Sequence, residues 1–198
     1  MSKLLIAAFA LAVALLGALP AQAQSLLTPN PFAEVVDEVR IGLHAHDVSY
    51  ILFAKPWEYK LNQIEDVSFE VLFKSPDIEA FRWIGSPRPD LGGTLNLDGQ
   101  DSLLHLSLTW QLPIFETPIY LEGAFGGAVH NGYLTGSPDD TRYANFGCRL
   151  NFYERYGVGA HVSENVTATL TYEHTSNNGW CEKNQGLSNF GLRVGWKF

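Results

Sequence analysis

His174, Thr175 and Ser176 follow one another in the chain, and a serine two residues from a histidine is a pair able to hydrolyse an ester. A serine hydroxyl attacks poorly until a base takes its proton, and imidazole serves as that base near neutral pH. On a β-strand, residues i and i+2 share a face, so the pair is usable if the chain is extended here. Alone, the pattern is unspecific. His44, His46 and Asp47 form a second cluster with the donor types of a metal site. Its plainer reading is a set of polar side chains hydrogen-bonded to their neighbours, and neither a metal nor a cofactor is expected.

The surrounding residues supply the extended chain. From Val39 onward apolar residues recur with period two in blocks of about ten, the pattern of barrel strands. Val39, Ile41, Leu43 and Ala45 alternate with Arg40, Gly42, His44 and His46; Val67, Phe69, Val71 and Phe73 alternate with Asp66, Ser68, Glu70 and Lys74. A third block near Trp83 to Leu95 is broken by Pro87, Pro89, Gly92 and Gly93, which leaves its register open. Leu104 to Trp110 and Ile119 to Val129 give a fourth and a fifth. The sixth sets Phe146, Cys148, Leu150 and Phe152 against Arg149, Asn151 and Tyr153. The seventh sets Val166, Ala168, Leu170 and Tyr172 against Thr167, Thr169, Thr171 and Glu173; the eighth runs from Asn189 to Phe198. The parity of the seventh block puts His174 and Ser176 on its apolar face.

These blocks predict an all-β fold, an eight-stranded antiparallel transmembrane β-barrel. The same alternation fits a soluble sandwich or lipocalin-like barrel with its faces reversed. Charges of both signs on the polar faces (Arg40, Glu70, Glu122, Arg149, Glu173, Arg193) favour the membrane, because they can pair inside a small plugged lumen. With both termini periplasmic, the first, third, fifth and seventh connections are extracellular and include the long segments Asp47 to Ile64, His130 to Ala144 and Asn177 to Leu187. The even connections, near Ser75 to Ala80, Leu112 to Thr117 and His161 to Asn165, are expected to be short.

Residues 1–23 have Lys3, an apolar run from Leu4 to Leu16 and then Ala21-Gln22-Ala23, the form of a cleaved signal peptide. The expected domains are therefore a signal peptide over 1–23 and an outer-membrane barrel over 24–198. A net charge of -8, with 13 scattered basic residues, excludes nucleic acid as a partner. Cys148 and Cys181 are the two cysteines. In an exported protein they form a disulfide or stay as two buried thiols, and their places at the extracellular ends of neighbouring elements predict the disulfide.

His174-Thr175-Ser176-Asn177, Asn184-Gln185-Gly186-Leu187 and the closing Gly191-Leu192-Arg193-Val194-Gly195-Trp196-Lys197-Phe198 resemble PagL-type lipid A 3-O-deacylases, with their acyloxyacyl hydrolase-like outer-membrane relatives. Weaker echoes lie at His46-Asp47, at 85–89 and at Gly147-Cys148-Arg149. The resemblance implies a carboxylic ester hydrolase that removes an ester-linked hydroxy-acyl chain from the lipid A of lipopolysaccharide. It implies that His174 is the general base, Ser176 the nucleophile and Asn177 a donor to the oxyanion.

The family's third member is a Glu or Asp two residues after the Gly of Asn-x-Gly, and here that position is Ser188. A hydroxyl can orient His174 but brings no charge to its protonated form. Glu182, in the adjoining loop, is a substitute acid by position, whereas the parity of Glu173 points it into the lumen. The competing reading is a catalytically weakened or inactive barrel with a structural or lipopolysaccharide-binding role. Both readings place the protein in the bacterial outer membrane, and both leave a homodimer open.

Overall fold

Eight antiparallel strands close on themselves in simple up-and-down order, each paired with its neighbours in sequence and the first with the last. The structure is a computed structural model, which describes residues 32–48, 64–135 and 142–198. The signal-peptide segment, much of the connection Asp47 to Ile64 and part of His130 to Ala144 lie outside the described residues. The strands are β1 (Val36–Ala45), β2 (Ile64–Phe73), β3 (Arg88–Asn96), β4 (Leu103–Pro113), β5 (Ile119–His130), β6 (Leu150–His161), β7 (Val166–Ser176) and β8 (Leu187–Lys197). Two short helices, α1 (Phe32–Val35) and α2 (Glu79–Trp83), lie before β1 and between β2 and β3. Among the described residues no helix is long and apolar enough to cross a membrane.

Period-two patterning decides which face turns inward, and here the interior is polar. Arg40, Arg155 and Arg193 are buried together with Glu38, Glu70, Asp90, Glu122 and Glu173. Phe69, Leu104, Leu106, Phe125, Leu150, Val158 and Leu170 are exposed on the outer surface. A soluble barrel would show the reverse; an apolar belt around a charged lumen is the pattern of a membrane-spanning barrel.

The lumen is lined with charged side chains, and each buried arginine is paired with more than one acid. Arg40 grips Glu122 and Glu38 with paired hydrogen bonds of 2.8 to 3.0 Å. Arg155 bonds Glu70 and reaches Asp90 at 2.8 Å. Arg193 contacts Glu70 at 3.1 Å and donates to Glu173 at 2.6 Å. Arginine suits this task because its planar fork satisfies two carboxylates at once in a buried site. Toward the end that carries residues 97–102, 131–135, 142–149 and 177–186, a small apolar cluster of Leu103, Ala128, Ala144, Phe146, Tyr153 and Leu187 caps the network.

Two expectations change. The third strand begins at Arg88, not near Trp83, because 79–83 coil into α2 and the chain turns at Gly85 and Ser86, both with positive φ. The connection between β2 and β3 is accordingly long, not short. The sixth strand begins at Leu150: Gly147, at φ +79, turns the chain, Phe146 is fully buried against His130 instead of facing outward, and Arg149, expected in the lumen, is exposed before the strand and bonds the His130 and Gly132 carbonyls. β6 then runs on to His161.

Candidate active site

β7 places His174 and Ser176 on its outer face, half-buried, while Glu173 and Thr175 point into the barrel. The antiparallel register sets their neighbours. Glu154 on β6 pairs with His174, which pairs in turn with Ser188 on β8. One rung toward the loops, Phe152 pairs with Ser176. One rung the other way, Tyr156 pairs with Tyr172 and Tyr172 with Phe190. The site is thus a row of side chains on the outside of the barrel.

Ser188 is buried, and its Oγ lies 2.8 Å from Nδ1 of His174. Tyr172 donates its hydroxyl to the same oxygen at 2.9 Å. If Nδ1 carries the hydrogen, Ser188 accepts from both, and Nε2 of His174 keeps a lone pair for a proton. Ser188 thus stands beside Nδ1 of His174 with an uncharged hydroxyl.

Gly186 shapes the space between His174 and Ser176. Its φ of +71 is a backbone conformation that side chains disfavour, and a Cβ there would lie 3.0 Å from Thr175 O, 3.2 Å from Cε1 of His174 and 3.4 Å from Cβ of Ser176. The Asn-x-Gly motif thus brings β8 directly against the His-x-Ser pair.

Asn177 is buried at the top of β7 and holds the loop. Its side-chain amide donates to Phe146 O at 2.5 Å and Lys183 O at 2.6 Å, and its own N–H donates to Asn184 Oδ1 at 2.8 Å. An oxyanion role would require that amide to change partners. Cys148 and Cys181 form a disulfide across the same loop, as their positions predict. Beside it, a cavity of about 230 Å³ is walled by Gly126, Gly127, Leu150, Phe152 and Trp180. The Trp180 ring stands edge-on to Phe152, the cross-strand partner of Ser176, at 4.8 Å.

The other sequence-level candidates lie away from the row. Glu182 is exposed in the loop. Glu173 is buried in the lumen and bonded to Arg193, Thr94, Tyr153 and Asn189. His44 contacts Ser68 at 2.7 Å and His46 pairs with Asp66 at 3.0 Å, so each has a neighbour of its own. Glu70, Asp90 and His105 come close enough to share an ion, but Arg155 donates to both carboxylates and supplies the positive charge there. Sequence reasoning missed Tyr172 and Glu154 as neighbours of the site. The signal for Glu154 was available, since continuing the parity of Leu150 and Phe152 puts a carboxylate on the apolar face.

Among solved structures, the chain resembles the outer membrane enzyme PagL, with 17% identity and a TM-score of 0.51 over 81% of this chain and 99% of that one. It also resembles the N-terminal β-barrel domain of Pseudomonas aeruginosa OprF, with 13% identity and a TM-score of 0.51 over 83% and 99%. At such identities the likeness is one of fold alone. A search of curated protein sequences gives no significant match. A family model described as lipid A 3-O-deacylase (PagL) matches residues 66–197, which include most of β2, all of β3 to β8 and every residue of the row, and the chain therefore belongs to that family.

Proposed function

We propose that the protein is an outer-membrane ester hydrolase that removes a hydroxy-acyl chain from lipid A, with Ser176 as nucleophile and His174 as general base. The observation that carries this reading is the imidazole held from its Nδ1 side by Ser188, on the lipid-facing surface, with Ser176 on the same face of the same strand. A substrate embedded in the membrane meets these groups without entering the lumen.

The reaction follows from that arrangement. As Oγ of Ser176 bonds to the ester carbonyl carbon, its proton passes to Nε2 of His174. The tetrahedral intermediate collapses by breaking the bond to the sugar oxygen, which takes the proton from the imidazolium. Water then attacks the acyl-serine, giving a proton to Nε2 that returns to Ser176 as the fatty acid leaves. Asn177 is the proposed donor to the oxyanion, at the cost of one of its loop hydrogen bonds.

Mass spectra of lipid A treated with the purified protein test the proposal: the product should lack one hydroxy-acyl chain, and Ser176→Ala should leave the lipid unchanged in a barrel that still folds. The competing reading, a barrel that binds lipopolysaccharide without cleaving it, is favoured by the missing charge at Ser188. Lipid A left intact by the wild-type protein would select it.

A further inference from the structure

We propose that Glu154 is the positioning residue that supplies negative charge to His174, from β6 instead of from β8; the inference rests on the catalytic reading of His174. Ser188 fills the orienting place beside Nδ1 but carries no charge, so the imidazolium formed during attack needs a counter-ion from elsewhere. On β6, β7 and β8, Glu154 is the one carboxylate that the described strands direct outward, since Glu173 faces the lumen. Its rung is not arbitrary. Glu154 is the cross-strand partner of His174 on the side opposite Ser188, so the three stand in line across three strands. Directly paired residues hold their Cβ atoms about 5 Å apart, near enough for the charge to act on the ring without a direct hydrogen bond.

The placement also makes sense of a costly residue. A carboxylate on the lipid face is unfavourable, and ionisable groups in such places are functional by default. Glu154 is half-buried and has a single side-chain hydrogen bond, accepted from the Tyr156 hydroxyl at 3.3 Å. Tyr156 is two residues along the same face, so the acid is steadied from its own strand while the imidazole remains fixed by Ser188. Orientation and charge, which one carboxylate supplies in the usual triad, are here divided between a hydroxyl and a neighbouring acid. The side chains beside the ring, Tyr172, Ser188, Ser176 and Phe152, are uncharged; Asp47, whose segment packs on β8 through Asn189 and Ser188, acts on Tyr172, whereas the charge that acts on His174 is that of Glu154. Glu182 is exposed in the loop between β7 and β8.

The test pairs kinetics with a readout independent of turnover, on full barrels refolded in detergent whose closure is checked by heat-modifiable mobility. In Glu154→Gln, deacylation of lipid A should fall on the order of 10- to 100-fold in kcat with KM little changed, and the acidic limb of the pH profile should move to lower pH. Glu154→Asp should recover part of the rate, and Glu182→Gln should behave as wild type. In parallel, the titration midpoint of His174, followed by NMR, should drop in Glu154→Gln. An unchanged midpoint with an unchanged rate overturns the role of Glu154. A wild-type barrel that never cleaves lipid A, but whose His174 midpoint still drops in Glu154→Gln, overturns the deacylase reading and leaves the coupling of Glu154 to His174 standing.

Discussion

Ser188 and His174 face each other across β7 and β8, with Oγ 2.8 Å from Nδ1. A carboxylate placed on that rung can accept from the same nitrogen and add charge to the protonated ring. We therefore expect Ser188→Asp to raise turnover on lipid A about tenfold, which corresponds to about 1.4 kcal/mol of transition-state stabilisation. Ser188→Ala, which removes the acceptor, should lower kcat roughly 10- to 100-fold. Initial rates in one detergent decide both, and a rise in Ser188→Ala would show that the hydroxyl does not orient the ring.

Gly186 tests the packing of the site without touching its chemistry. Ala at this position meets Thr175 O and the imidazole and must adopt φ +71, which costs about 1 kcal/mol or more in strain before any displacement. Gly186→Ala should therefore reduce activity at least tenfold while far-ultraviolet circular dichroism stays that of the wild-type barrel. By contrast, Gly99, also at positive φ but with open space beyond it, should accept Ala without loss of activity.

The lumen should be far more sensitive than the surface. Arg155→Met removes the partner of Glu70 and Asp90 and leaves two buried carboxylates short of a cation, a change expected to cost about 3–5 kcal/mol. Arg82 and Asp77 form an ion pair of similar length on the surface, with side chains 60% and 88% exposed. Arg82→Ala should cost under about 1 kcal/mol. Urea unfolding from lipid vesicles, monitored by tryptophan fluorescence, measures both. Equal losses would contradict the ion-paired account of the interior.

Asp101 gives the loop end a pH dependence. Burial pushes its carboxyl up to about 6, with Asp47 and Asp66 adding to the effect, although Ala144 donates its N–H to Oδ2 at 2.7 Å. An acid whose folded value is raised favours the neutral form in the folded protein. Its contribution is fully present below the ordinary 3.8 and is lost as pH rises through about 6. Protease cleavage near Ala144 should thus become faster between pH 4 and pH 7, and Asp101→Asn should flatten the profile.

Much of this architecture was legible because each strand has one face in lipid and one in the lumen, so parity alone assigned Arg40, Glu70, Glu122, Glu173 and Arg193 to the interior. The reading failed where a turn interrupts the count. Phe146 and Cys148 share the parity of Leu150, but positive φ at Gly147 ends the alternation and sends Phe146 beneath the loop. α2 was hidden for another reason: five residues without a side-chain cap leave no period to detect. At the site, His174, Ser176 and Ser188 were visible as a motif. The place of Glu154 beside His174 and the bond from Tyr172 to Ser188 were not, because cross-strand neighbours depend on register, which no single strand encodes.

The arginine network that fills the lumen also determines how substrate must be counted. On the proposed reading, with the interior occupied by Arg40, Arg155, Arg193 and their acids and Ser176 on the outer face, an ester reaches Ser176 by lateral diffusion within its leaflet. The concentration that matters is then molecules per unit area of membrane. Diluting lipid A with inert lipid should slow the enzyme even when the amount per millilitre is unchanged, and an inhibitor will act only as well as it partitions into the bilayer.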